Sequence, residues 1–317
     1  MEFIATRTSY GNALCELAEE IDNIAVLDAD LSAATMTSLF AKKHPDKFYN
    51  CGIAEQNMLG VAAGLAASGK LVFASSFAMF AAGRAFEIIR NSVAYPNLNV
   101  KICATHAGIA TGEDGATHQC IEDIAIMRAI PNMTVINPAD DTEAYAAVLA
   151  MKDYPKPVYM RLGRLAVPVV FDRATYKFEL GKGIVMRRTD KDAVTIIASG
   201  LTVDRAATAT EILAAKGISA RLVNIHTIKP LDTDLIIDCA KETGKIIVVE
   251  EHTEIGGLGS AVCDALAEHY PTPVKKIAVP DRFGFSGAAL DLLDLFGFSP
   301  ENIAKVTEEF ISQHTSK

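Results

Sequence analysis

The chain has 317 residues, of which 50% are hydrophobic and 22% charged, and its formal net charge is −9. This length and composition fit two soluble domains with cores of ordinary size. A negative charge without any Lys/Arg cluster argues against nucleic-acid binding. There is no signal pattern and no apolar run of about 18 residues, so we expect no membrane association. The six cysteines lack CxxC spacing, which favours free thiols and a cytoplasmic protein.

In the first half of the chain, apolar runs of strand length alternate with segments of helical period. This alternation predicts βαβ units and a doubly wound, mostly parallel sheet over residues 1–166. The predicted strands are 24–27, 48–50, 70–74, 100–104, 134–137 and 158–161, and the predicted helices are 34–43, 56–67, 81–93, 121–129 and 141–151.

The period is lost over residues 167–188, which we interpret as an interdomain linker with short β-like pieces at 178–181 and 183–187. A second α/β alternation covers residues 189–317. The predicted fold class is therefore α/β, with two doubly wound domains of which the second is smaller and has a mixed sheet. Its predicted strands are 194–198, 219–224, 245–250 and 274–279, and its predicted helices are 203–216, 233–243, 259–269 and further helices beyond 287.

The densest polar motif lies in the loop after the strand at 100–104. Gly112 to Gln119 combines glycines, two acids and a histidine, and His106 stands just upstream. Asp114 and His118 therefore share one flexible loop with His106, a plausible acid/base cluster for a polyol. Ordinary loop polarity is the alternative for this motif taken alone.

Two further motifs precede this loop. In Cys51 to Met58 a single carboxylate, Glu55, opens a helix of small apolar residues, and Ser76 to Phe80 follows the next predicted strand. Together with the loop, and with Thr6-Arg7, Asp30-Leu31 and Arg161, these motifs resemble the transketolase family of thiamine diphosphate enzymes, from about Ala5 to the end. The resemblance is to the pyrimidine-binding and C-terminal domains of that family.

The resemblance implies how the cofactor is held. Glu55 matches a glutamate that donates a hydrogen bond to the pyrimidine N1′ and so assists removal of the thiazolium C2 proton. To donate, it must hold a proton near neutral pH, which burial favours. Phe77 and Phe80 match aromatic residues that stack on the aminopyrimidine. Gly83 departs from the pattern, since longer members have a further aromatic there. Asp30 matches an acid that reaches the cofactor across a subunit interface.

For the substrate, the resemblance assigns His106 and His118 to the donor hydroxyls and to proton transfer at the bond that breaks. Asp114 would bind the hydroxyl next to the carbonyl. Arg7 and Arg161 match arginines that hold the terminal phosphate in a bidentate fork. Which histidine acts as the base stays open.

The resemblance also implies a partner. One-chain members carry an N-terminal domain that binds the diphosphate and a divalent metal through Gly-Asp-Gly, which does not occur in these residues. We therefore predict the C-terminal subunit of a split transketolase, without a metal ligand of its own. An N-terminal subunit would bring most of the site for Mg²⁺ or Ca²⁺ with thiamine diphosphate. The predicted assembly is a heterotetramer in which this chain pairs with itself and acts on sugar phosphates.

Three alternatives remain at this point. A 1-deoxyxylulose 5-phosphate synthase shares the domain order, but His106 with Asp114 and His118 fits polyol donors better. The β subunit of a 2-oxo acid dehydrogenase has a similar length, but Gly112 to Gln119 is foreign to it. A non-catalytic scaffold would not need Glu55.

In the second domain, Glu254 to Ser260 is a glycine-rich turn or, less favoured, an anion cradle.

Overall fold

The structure, a computed structural model, describes residues 2–314. Its strands are β1 (Phe3–Ala5), β2 (Ile24–Asp28), β3 (Phe48–Asn50), β4 (Leu71–Phe77), β5 (Val100–Thr105), β6 (Thr134–Ile136), β7 (Val158–Arg161), β8 (Ala166–Pro168), β9 (Ile184–Arg187), β10 (Val194–Ala198), β11 (Ala220–Asn224), β12 (Thr227–Lys229), β13 (Ile246–Thr253) and β14 (Val274–Val279).

The helices alternate with these strands in both halves of the chain. They are α1 (Thr6–Glu20), α2 (Ser32–Thr35), α3 (Ser38–Lys43), α4 (Glu55–Ala67), α5 (Phe86–Ile88), α6 (Asp123–Ala129), α7 (Asp141–Ala150), α8 (Thr202–Ala215), α9 (Thr233–Thr243), α10 (Leu258–His269), α11 (Ala289–Leu295) and α12 (Pro300–Gln313). π-Helical turns, Met79–Arg84 and Ile89–Ala94, flank α5. None of the helices between residues 2 and 314 combines the length and apolarity that crossing a membrane requires.

The first sheet has seven strands in the order β12-β6-β7-β5-β4-β2-β3, parallel except for β12. Its central strands β2, β4 and β5 are buried along their whole length. Their apolar side chains fill cores on both faces of the sheet, as continuous apolar runs in a parallel sheet predict. The α/β fold class with a mostly parallel first sheet is thus confirmed.

The second sheet has five strands in the order β14-β13-β10-β11-β9, of which β9 is antiparallel to β11 and the others are parallel. The smaller mixed sheet expected for the second domain is therefore confirmed. β9 lies within residues 167–188, which were predicted to be a linker, so this end of the stretch pairs with the second sheet.

Several local predictions were wrong. The single helix predicted over 34–43 is broken between α2 and α3, because Met36 adopts a left-handed backbone conformation with φ 67°. The β-like piece predicted at 178–181 forms no strand. β12 was missed, and although it follows β11 it crosses over to pair with β6 of the first sheet.

Candidate active site

The candidate site lies at the carboxyl ends of the central strands of the first sheet. β4 ends at Phe77, which is in register with Thr105 at the end of β5, and Ala104 is in register with Arg161 at the end of β7. In open parallel sheets this edge is where ligands bind. Strand ends therefore bring residues that are far apart in sequence into one cluster.

Four rings from the predicted site pack together at this edge. The His106 ring stacks on Phe77 with centroids 3.8 Å apart, and Phe77 and Phe80 are nearly parallel at 6.0 Å. The ring of His118 meets Phe80 edge-on at 5.4 Å. The structure thus packs His106 against Phe77, and His118 against both Phe77 and Phe80, although the histidines and the phenylalanines come from two separate segments.

His106 is held in an unusual environment. Its backbone is left-handed, with φ 57°, and its side chain is only 4% exposed with Nδ1 2.9 Å from Thr105 Oγ1. Burial, aided by the nearby charges of Arg7 and Arg164, lowers the pKa of His106 to about 3. The ring is therefore neutral at physiological pH. Non-glycine residues with a left-handed backbone, such as His106, cluster at functional sites.

This depressed pKa predicts a stability change with pH. Between the ordinary pKa of 6.5 and about 3, the unfolded chain binds a proton at His106 that the native chain does not, so acid weakens the fold. As the pH is lowered, we expect the free energy of unfolding of the wild type to fall more steeply than that of His106→Asn. The two slopes should differ by up to about 1.4 kcal/mol per pH unit. Asn tolerates the left-handed backbone. Urea unfolding at pH 7 and pH 5 measures both slopes, and equal slopes would contradict the prediction.

Glu55 is the first residue of α4 and is 1% exposed. An acid at a helix N-terminus is stabilised by the helix dipole. Here the Glu55 carboxylate also has a positively charged partner, Arg84. Arg84 Nη1 is 3.1 Å from Glu55 Oε2, and the Arg84 guanidinium carbon lies 5.1 Å from the centroid of Phe80. Arg84 therefore connects the predicted carboxylate to the predicted aromatic residues.

Two cations, Arg7 and Arg164, lie near His106, and both lower its pKa. Arg7 donates from Nη1 to the carbonyl of Ala34 at 2.7 Å, and its buried Nε has no hydrogen-bond partner. Burial and the charge of Arg164 lower the pKa of Arg7. An anion bound here would accept a hydrogen bond from this unsatisfied buried donor and pair with both guanidiniums.

Arg161, predicted to hold phosphate, lies at the same edge of the sheet, but its guanidinium is paired with buried acids. It is 4% exposed, with Nε 2.9 Å from Asp123 Oδ2 and Nη2 2.9 Å from the carbonyl oxygen of Glu251. Burial disfavours the charged guanidinium, but the Asp123 and Glu251 carboxylates outweigh it and raise the pKa of Arg161. The guanidinium is thus committed to a buried ion-pair cluster that joins the two domains, an arrangement that does not support its predicted contact with substrate.

Arg164, three residues later, has the exposure that Arg161 lacks. Its side chain is 36% exposed, and Nη1 contacts Glu113 Oε2 at 2.7 Å and the Thr111 carbonyl oxygen at 2.5 Å. Sequence reasoning missed Arg164, because only packing reveals which arginine of the segment Arg161-Leu162-Gly163-Arg164 turns inward.

The two remaining predicted acids are exposed. Asp114 ends the 3-10 turn Ile109–Asp114 in the His118 loop. Asp30 follows β2 with φ 64° and accepts from Asn50 Nδ2 at 3.1 Å. The contacts that the resemblance implies for these two acids therefore stay predictions.

The second domain supports the histidine loop. Gln119, which is 4% exposed, donates from Nε2 to the carbonyls of Gly112 at 3.1 Å and Phe285 at 3.0 Å. Gly284 packs so closely on Gln119 Oε1 that a Cβ there would collide with it. A loop of the second domain thus fixes the backbone that carries His118.

The glycine-rich segment Glu254 to Ser260 already has an internal anion. Glu250 accepts from the backbone N–H of Leu258 at 2.6 Å and of Gly259 at 2.7 Å, at the start of α10. These donors are those an external anion would use. The segment is therefore a packed glycine-rich turn rather than an anion cradle.

Comparisons with known proteins agree with this geometry. Residues 2–169 match the family model for the transketolase pyrimidine binding domain, and residues 181–303 match that for the transketolase C-terminal domain. The chain is 50% identical over 301 residues to a putative transketolase C-terminal section of Methanocaldococcus jannaschii, covering 94% of both chains. It is 40% identical over 310 residues to an apulose-4-phosphate transketolase subunit of Phocaeicola vulgatus, covering 98% of both.

A solved structure is also similar. It is described as a split gene transketolase, inactive beta4 tetramer, and it has a TM-score of 0.90 and 50% identity, covering 98% of this chain and 99% of that one. The chain belongs to the transketolase family. Within that family it comprises the pyrimidine-binding and C-terminal domains, as the sequence motifs predicted.

Proposed function

We propose that this chain is the C-terminal subunit of a two-chain, thiamine diphosphate-dependent transketolase. The reaction is reversible transfer of a two-carbon ketol unit from a ketose phosphate to an aldose phosphate. The observation that supports it best is the buried carboxylate of Glu55 close to a paired phenylalanine surface, beside two histidines at the carboxyl edge of a parallel sheet.

The residues present fit the pyrimidine half of the cofactor. Phe77 and Phe80 offer nearly parallel ring faces, and the Glu55 carboxyl is shielded from water. When bound, the cofactor would supply a nucleophilic, carbanion-type carbon for the ketose carbonyl. Glu55 would hold the proton shared with the pyrimidine N1′, and Asp30 would contact the cofactor from the rim. The diphosphate and its Mg²⁺ or Ca²⁺ belong mainly to the partner subunit.

The chain's own polar residues would orient the sugar and move its protons. His106 is neutral, so its ring can accept a hydrogen bond from a donor hydroxyl, although the depressed pKa makes it a weak base. His118, which is partly exposed and meets Phe80 edge-on, is the second candidate for carrying the proton, and Asp114 would bind the hydroxyl next to the carbonyl. The stack of His106 on Phe77 fixes its ring without a charged partner.

The sugar phosphate would be gripped by Arg7 and Arg164. Both guanidiniums lie near His106, since their charges contribute to its depressed pKa, and Arg7 has an unsatisfied buried donor. A phosphate would accept a hydrogen bond from that donor and offset the repulsion between the two cations. The relative from Phocaeicola vulgatus is named for apulose 4-phosphate, so we assign the substrate only to the class of sugar phosphates.

The proposed assembly is a heterotetramer in which this chain pairs with itself and with an N-terminal subunit. The solved relative is described as an inactive tetramer of β chains, which supports both self-pairing and dependence on a partner. Exposed apolar and small residues near Glu55 offer a docking face for another chain, namely Ile53, Gly60, Val61 and Gly64. The six free thiols fit a reducing compartment such as the cytoplasm.

A calorimetric titration tests this proposal. Thiamine diphosphate with magnesium is titrated into the chain alone and into its mixture with the candidate N-terminal subunit, and both samples are assayed with xylulose 5-phosphate and ribose 5-phosphate. We expect cofactor binding and turnover only in the mixture, because this chain supplies only the pyrimidine side of the site. Absence of cofactor binding in both samples would refute the proposal.

A further inference from the structure

Arg84 lies on the two surfaces that the proposed function assigns to the cofactor's pyrimidine. Its Nη1 is 3.1 Å from Glu55 Oε2, and its guanidinium carbon is 5.1 Å from the centroid of the Phe80 ring. An aminopyrimidine that is hydrogen-bonded to Glu55 and stacked on the phenylalanines needs both of those surfaces. Arg84 therefore competes with such a pyrimidine for both contacts.

The local backbone explains why Arg84 is in this place. It is the last residue of the π-helical turn Met79–Arg84, and its carbonyl oxygen accepts from Gln56 Nε2 at 3.2 Å. Gln56 follows Glu55 on α4, so the end of the turn is tied to the start of that helix. π-Helical turns inside helices occur frequently at functional sites.

We propose that Arg84 is an internal competitor of the cofactor, which occupies the pyrimidine position in the unpartnered chain and turns into solvent when thiamine diphosphate binds. This inference rests on the proposed function. The Arg84 side chain is 53% exposed whereas Glu55 is 1% exposed, so the guanidinium can leave and hydrate while the carboxyl stays in place.

Internal competition has a measurable cost in affinity. If the open form is about one tenth of the population, the apparent Kd of the cofactor is about tenfold weaker than the intrinsic Kd. We therefore expect Arg84→Gln, in the complex with the N-terminal subunit, to bind thiamine diphosphate with magnesium about tenfold more tightly than the wild type. Arg84→Lys, which keeps a positive charge, should return the Kd toward the wild-type value.

The matched control is Arg90→Gln. Arg90 is an exposed arginine nearby that hydrogen-bonds to Asn91, so its loss should leave the Kd unchanged. Calorimetric titration of the four complexes gives the Kd values directly and does not depend on turnover.

A double-mutant cycle on the chain alone tests the contact itself. Arg84→Gln should lower the Tm by roughly 2 to 4 °C in the wild-type background, and have a clearly smaller effect in Glu55→Gln, where no carboxylate is left to pair. Equal shifts in both backgrounds would mean that Arg84 does not interact with Glu55, and would overturn the inference.

The two proposals fail in different ways. If the wild-type complex binds the cofactor and Arg84→Gln binds it equally or more weakly, Arg84 is no competitor, and only this inference falls. If the wild-type complex does not bind the cofactor, the proposed function falls and takes this inference with it.

Discussion

Replacing Glu55 by Ala is expected to lower kcat of the assembled two-chain enzyme by roughly 10² to 10⁴-fold, the range typical of a lost proton-transfer group. Glu55 is 1% exposed and would be the group that shares a proton with the pyrimidine N1′. Water reaches such a position poorly, so it would not replace the carboxyl. Steady-state assays at saturating cofactor and substrate measure the change.

The complex should still form in this variant. Arg84 is half exposed, so its guanidinium can hydrate after the carboxyl is removed. Glu87→Ala is the matched control, since Glu87 is an exposed acid on α5 close in sequence to Arg84, and it should leave kcat unchanged. An unchanged kcat in Glu55→Ala, with assembly verified by size-exclusion chromatography, would mean that the carboxyl takes no part in the reaction.

Much of the fold could be predicted from the sequence, because the period of the apolar residues changes clearly between strands and helices. The central strands β2, β4 and β5 are buried throughout and read as short continuous apolar runs. β12 could not be predicted in this way. It has only three residues, and its pairing with β6 depends on tertiary contacts rather than on any local pattern.

The candidate site, too, could be predicted from the sequence only in part. The motifs place His106, His118 and both phenylalanines, and the structure brings these four rings together because parallel strands end at one edge. Arg84 was missed, because its role depends on a side chain that crosses from the π-helical turn to α4. The support of the His118 loop by the second domain was missed for the same reason, since the Gln119 contact spans 166 residues.

Arg161 and Arg164 show most clearly what the sequence could not predict. The resemblance selected Arg161 as the phosphate ligand, whereas the packing favours Arg164. Arg161→Met should destabilise the chain by about 3 to 5 kcal/mol, since it leaves the buried Asp123 and Glu251 without their cation. Arg164→Met should change stability much less than Arg161→Met, because its ion pair is with an exposed carboxylate, that of Glu113.

The effects on activity should be reversed. Arg164→Met should raise KM for the sugar phosphate by roughly 10 to 100-fold, the equivalent of about 1.5 to 3 kcal/mol for a charge-assisted hydrogen bond. A substrate without the phosphate should bind the wild type and Arg164→Met equally, since the lost contact is to the phosphate. Urea unfolding and KM values with phosphorylated and unphosphorylated ketose separate the two roles. If Arg161→Met keeps full stability and instead raises KM for the phosphorylated sugar alone, Arg161 is the phosphate ligand and its buried ion-pair cluster opens in the assembled enzyme.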